Sequence, residues 1–75
     1  MKRPHPDSER LAEIVKASRK QARLSQERLA ELASISRRPL YLFESGKGDI
    51  QLGTLLKILD ALGLEIDVRP RRPLD

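Results

Sequence analysis

A chain of 75 residues holds one domain at most, and a domain this small buries only ~60% of the surface its unfolded form exposes. It contains no cysteine and a single histidine, His5, which excludes disulfides, thiolate metal sites and a Cys or His nucleophile. Lys and Arg number 15 against 11 Asp and Glu, a net charge of +4 that favours a polyanionic partner. Self-association is the remaining support for so small a core. No apolar run approaches the ~18 residues of a membrane span, and no signal-peptide segment follows the N-terminus. A cytoplasmic protein without membrane contact is therefore expected.

Residues 1–7 hold two prolines and little apolar matter, and read as a loose arm; residues 70–75, with Pro70, Arg71, Arg72 and Pro73, read as a loose basic tail. Between them lies one domain, 8–69. Its first helix is predicted over 8–22, with Ser8 as N-cap and Glu9 in the first turn, where the helix dipole favours an anion. Leu11, Ile14, Val15, Ser18 and Ala22 give its apolar stripe. Ser25 caps a second helix over 26–33 with Leu29, Ala30 and Ala33 inward. The pattern breaks at Ser34 and Ile35. Ser36 then caps a third helix over 37–45, with Pro39 in its first turn and Gly46 as its stop. The run Leu40-Tyr41-Leu42-Phe43 is also compatible with a buried strand, but the cap, the proline and the glycine favour a helix. A fourth helix spans 52–62 with Leu52, Leu55, Leu56, Leu59 and Leu62 as its stripe and Gly63 as its stop. The period then drops to two, and Leu64, Ile66 and Val68 alternate with Glu65, Asp67 and Arg69 as a half-buried strand.

Two short helices joined by about four residues, the second polar on its outer face, form a helix-turn-helix signature. Ala30 is small enough to let the next helix approach, Ile35 plugs the turn, and Leu40 with Phe43 forms a narrow buried stripe. That stripe turns Arg37, Arg38, Tyr41 and Leu42 outward. The segments Leu24-Ser25-Gln26-Glu27-Arg28-Leu29-Ala30, Ile35-Ser36-Arg37 and Phe43-Glu44-Ser45-Gly46-Lys47, continued by the helix from Leu52 to Gly63, resemble the Xre/Cro-type helix-turn-helix domain of phage repressors. The fold this implies is mainly α, four to five helices. The resemblance further implies that Gln26 holds a DNA phosphate and buttresses the third helix. Ser36, Arg37 and Arg38 then reach base edges, with Tyr41 and Leu42 one turn on, and Lys47 meets a phosphate. Arg matches guanine O6 and N7 in the major groove. It also implies a buried structural ion pair between Arg19 and Glu44.

The sequence departs from that family in three places. Arg23 and Ser34 stand where glycine is usual, and each costs about 1 kcal/mol if its backbone stays left-handed. Leu42 replaces a frequent polar base-reader and is suited to a thymine methyl instead.

The structural alternative for Arg37 and Arg38 is a solvated basic patch. Two cations at a helix N-terminus oppose the dipole, however, so stability alone does not explain them. The carboxylates form no catalytic arrangement, and Gly46-Lys47-Gly48 lacks the context of a phosphate loop. No enzyme activity and no cofactor are expected. A single strand cannot satisfy its own backbone groups, so the segment 64–69 is expected to pair with its copy across a two-fold axis through Leu64, Ile66 and Val68. A helix-turn-helix domain with such an ending resembles the HipB-like antitoxins, which implies a homodimer, a two-fold operator and a partner toxin kinase. A stand-alone phage- or plasmid-type repressor, and a protein-interaction module of the same fold that binds no DNA, are the competing readings.

Overall fold

The computed structural model describes residues 5–72. Four helices follow one another: α1 (Pro6–Gln21), α2 (Gln26–Ala33), α3 (Arg37–Glu44) and α4 (Leu52–Leu62). α2 packs against α3 and α4, and α1 packs against the same two helices from the other side. The shared core contains Ala12, Val15, Leu29, Ala33, Leu40, Phe43, Leu55, Ile58 and Leu59, with Ile35, Leu24 and Leu64 packed partly buried at its edges. Ala30 is buried as well, as expected of the residue that lets α3 approach.

α1 begins two residues earlier than the sequence suggests. Its N-cap is His5, whose Nδ1 accepts a hydrogen bond from the Asp7 amide at 3.0 Å, and Ser8 lies inside the first turn. Pro6 explains the difference, since proline at the first helical position loses no intrahelical bond. Pro6 and Asp7 thus belong to the helix, whereas residues 1–4 of the expected arm and 73–75 of the expected tail lie outside the described residues. The inward stripes are also rotated from expectation. On α1 it centres on Ala12 and Val15, leaving Ile14 exposed; on α4 it runs through Leu55, Ile58 and Leu59, leaving Leu52 and Leu56 exposed.

The helix ends share one device. At Arg23, Ser34, Gly46 and Gly63 the backbone turns left-handed, with φ of 59°, 58°, 74° and 72°. In each case the next amide reaches back across the last turn: Leu24 to Arg19, Ile35 to Ala30, Lys47 to Leu42 and Leu64 to Leu59. Such a reversal satisfies helix carbonyls that otherwise lack donors. It also folds Leu24, Ile35 and Leu64 back against the core.

That cap accounts for the fate of the expected strand. No strand is present among the described residues, and from Leu64 to 72 the chain runs on without helix or strand. Leu64 is partly buried because the α4 cap places it, whereas Ile66 is 44% and Val68 87% exposed. A ladder requires a second strand, and the chain offers itself none. The expected strand is therefore not formed within the described chain.

Candidate nucleic-acid interface

α2 and α3 form the helix-turn-helix, and α3 presents its outer face to solvent. Leu40, Phe43 and Glu44 are its buried side. A rotation of about 100° per residue then leaves Arg37, Arg38 and Tyr41 exposed and Leu42 half-buried on the opposite flank. Arg37, Arg38 and Tyr41 line one shallow depression. Arg38 and Leu42 share a second groove with Ser36, Pro39 and the loop running from Asp49 to Gln51. The two outward residues one turn into α3 therefore serve different flanks. Lys47 is exposed just beyond the helix. The participation of the 49–51 loop is not legible in the sequence, because nothing in its spacing ties it to α3.

The N-terminus of α3 is poorly provided for locally. Ser36 occupies the N-cap without a side-chain hydrogen bond, and no acidic residue falls in the first turn. By contrast Ser25, at the start of α2, accepts from the Arg28 amide at 3.0 Å. Neither Arg37 nor Arg38 forms an ion pair among the described residues.

The other end of α3 is fully satisfied. Arg19 reaches across from α1 and clamps Glu44 with two parallel bonds, Nε to Oε2 at 2.8 Å and Nη2 to Oε1 at 2.9 Å. Its Nη1 donates to the Leu24 carbonyl at 2.7 Å. Gln26 adds a third donor to the carboxylate, Nε2 to Oε1 at 3.1 Å. The side chains of Arg19 and Glu44 are only 11% and 2% exposed. Burial pushes the Glu44 carboxyl up, but the hydrogen bonds from Arg19 and Gln26, helped by the charges of Arg19 and Lys16, hold it below the ordinary glutamate range. The same hydrogen bond to Glu44 raises Arg19 against its own desolvation. Gln26 is thus fixed to α3 through its carboxylate. The resemblance implies both the ion pair and a Gln26 that buttresses the third helix, but not that Gln26 does so through the Glu44 carboxylate.

Leu64, Ile66 and Val68, expected at a dimer interface, are not equivalent. Ile66 and Val68 border a groove with Asp7, Arg10, Leu11 and Ile14 of α1, away from α3, and Leu64 lies under the core edge. Among the described residues no cluster of metal-ligating side chains occurs, and no helix is long and apolar enough to cross a membrane.

Comparison with known proteins agrees with this geometry. Residues 15–68 match the family model described as helix-turn-helix. Among solved structures, the chain is similar to one in a HipA–HipB–O2–O3 complex, at 25% identity and a TM-score of 0.78, covering 96% of this chain and 100% of that one. It is also similar to the restriction-modification controller protein C.AhdI from Aeromonas hydrophila, at 30% identity and a TM-score of 0.73, covering 81% of this chain and 92% of that one. No curated protein matches the sequence. With the helix-turn-helix, its outward face and the family match in hand, the chain belongs to the Xre-like helix-turn-helix family and has the fold of a DNA-binding regulator.

Proposed function

We propose that this protein is a sequence-specific transcriptional repressor that binds double-stranded DNA as a homodimer in the cytoplasm, and that it is the antitoxin and autorepressor of a toxin–antitoxin module with a HipA-like kinase. One observation carries the DNA-binding reading: among the described residues Arg37 and Arg38 form no ion pair, and they lie exposed at a helix start with no side-chain cap. An external anion is the natural complement to that arrangement. Ser36, Arg37 and Arg38 read base edges, Leu42 packs on a thymine methyl, and Gln26 and Lys47 hold phosphates. Domain 8–69 carries both DNA binding and dimerisation. The similarity to HipB supports the antitoxin assignment, and the similarity to C.AhdI supports a second reading, a stand-alone regulator. The identity of the neighbouring gene separates the two.

Dimerisation is assigned to the C-terminal segment. Ile66 and Val68 are apolar and exposed, and a second copy running antiparallel would cover them while supplying the missing ladder. Truncation before Leu64, or Ile66→Pro, should give a monomer in sedimentation. Affinity for a palindromic operator should fall far more than for any side-chain change, because linked half-sites bind together. The full-length protein should lose affinity with salt at a log–log slope of about −0.9 per phosphate neutralised. A total slope shallower than about two would instead leave the interaction-module reading.

A further inference from the structure

A small pocket of about 120 Å³ lies where α1, α2 and α3 meet, lined by Lys16, Gln26, Tyr41, Glu44 and Ser45. Its charges and donors can be followed one by one. Glu44 brings a negative charge, but Arg19 neutralises it through two hydrogen bonds. Lys16 then remains as an unmatched positive charge, in no ion pair among the described residues. Ser45 is spent, since its Oγ donates to the Leu42 carbonyl at 2.8 Å. Gln26 uses one amide hydrogen on Glu44, and a primary amide has a second to give. Tyr41 is 48% exposed, and its hydroxyl makes no hydrogen bond among the described residues. Among the described residues the pocket therefore offers one cation outside any ion pair and two further neutral donors, from three different helices.

We infer that Lys16, Gln26 and Tyr41 together form a clamp for one backbone phosphate of the bound duplex, with Tyr41 a phosphate contact and not a base reader. The inference rests on the reading that this face of α3 meets DNA. One phosphate balances the Lys16 charge, so the filled pocket is neutral. Glu44 acts here as a positioning residue: by taking one Gln26 hydrogen it holds the amide in the pocket wall and leaves the other to give. The three helices are already tied to one another by the Arg19–Glu44–Gln26 bonds, so the clamp is set before DNA arrives.

The test compares Lys16→Met, Tyr41→Phe and Arg37→Ala in the full chain on an operator and on random duplex, each variant first checked for an unchanged melting temperature. Tyr41→Phe should weaken both DNAs alike, on the order of tenfold per half-site, as the loss of a hydrogen bond to a charged group implies. Lys16→Met should do the same and reduce the salt slope by about 0.9 per half-site. A methylphosphonate scan, which neutralises one linkage at a time, should find one position per half-site where both variants match wild type. Loss confined to the operator for Tyr41→Phe would overturn the clamp in favour of base reading. Normal binding by Lys16→Met and Tyr41→Phe beside an impaired Arg37→Ala would overturn the clamp and leave the DNA reading standing. A wild-type protein with no affinity for either duplex would overturn both.

Discussion

α3 carries charge at both ends, and at both ends the charge opposes the helix dipole. A carboxylate sits at the C-terminal end and two guanidiniums at the N-terminal end, the reverse of what the dipole favours. The two ends differ in how the opposition is met. Glu44 is buried and receives three donors from within the protein, whereas Arg37 and Arg38 are exposed and have no ion-pair partner among the described residues. A charge closed inside the fold is structural; a charge left open at a surface is available to a partner. One helix thus separates the residue that holds the domain together from residues left available to something outside it.

The sharpest break of this comparison is Glu44→Ala. It strands the Arg19 guanidinium in a site only 11% exposed, and removing one partner of a buried pair typically costs about 3–5 kcal/mol. That is a large part of the ~5–15 kcal/mol that holds a small domain folded, so the variant should melt far below wild type. Replacing both partners, Arg19→Met with Glu44→Leu, should recover most or all of the loss, since apolar substitution of a buried pair is often neutral or stabilising. A double variant as unstable as the single one would show that the bonds to Leu24 and Gln26, and not the pair, carry the effect.

Acid acts on the same end. The folded Glu44 carboxyl lies below its ordinary value near 4.5. The unfolded chain therefore binds this proton first. The contribution of Glu44 is whole above the unfolded value, declines between the two values, and is gone below the lowered folded one, so the folded state is favoured wherever folded Glu44 stays ionised. Stability measured by denaturant titration should drop below pH 4.5 in wild type, and the Arg19→Met, Glu44→Leu variant should drop less.

At the open end the signs of binding and stability should part. Arg37→Ala or Arg38→Ala should cost about 1–3 kcal/mol on the operator and relax preference at one base pair per half-site. The same changes should leave the fold unharmed or raise its stability by about 0.3–1 kcal/mol, since each removes a cation from a helix N-terminus. Lys47→Ala should weaken operator and random DNA equally. Equal losses on both DNAs for the arginine variants would take them out of base readout.

The closed end also marks what a sequence can reveal. All four helices are legible, because caps, glycine stops and apolar spacing act over a few residues. Leu29, Ala33, Leu40 and Phe43 fall in the core as their spacing demands. The rotated stripe of α1 is not legible, because several apolar residues of that helix could face inward and the packing of distant helices decides that Ala12 and Val15 do while Ile14 does not. The acceptor of the Gln26 bond is likewise set by how two helices cross, although the resemblance already implies that Gln26 buttresses α3. The strand fails for a different reason. Alternation at 64, 66 and 68 records which side chains could share a face, but a cap positions Leu64, and a ladder needs a partner strand that is not present among the described residues of one chain.

The smallest effects concern the four left-handed helix ends, which form a natural series. Two carry glycine and two do not, yet their hydrogen bonds have the same pattern. A Cβ built at Gly46 or Gly63 meets nothing within 4 Å, so any penalty there comes from the backbone and not from crowding. Gly46→Ala and Gly63→Ala should each lose about 1 kcal/mol, the cost of a left-handed L-residue. Arg23 and Ser34 already bear that cost at φ of 59° and 58°. Arg23→Gly and Ser34→Gly should therefore each gain up to about 1 kcal/mol, somewhat offset by the greater freedom glycine gives the unfolded chain. In a domain of this size such a gain raises the melting temperature by about 4–8 °C. Ser34→Gly lies in the turn between α2 and α3, so it also tests whether strain beside the recognition helix serves binding. Equal operator affinity with a higher melting temperature would make the strain incidental, whereas weaker binding would show that the turn is held rigid for DNA. A lower melting temperature for Arg23→Gly would mean that the Arg23 side chain, exposed as it is, makes a contact worth more than its backbone strain.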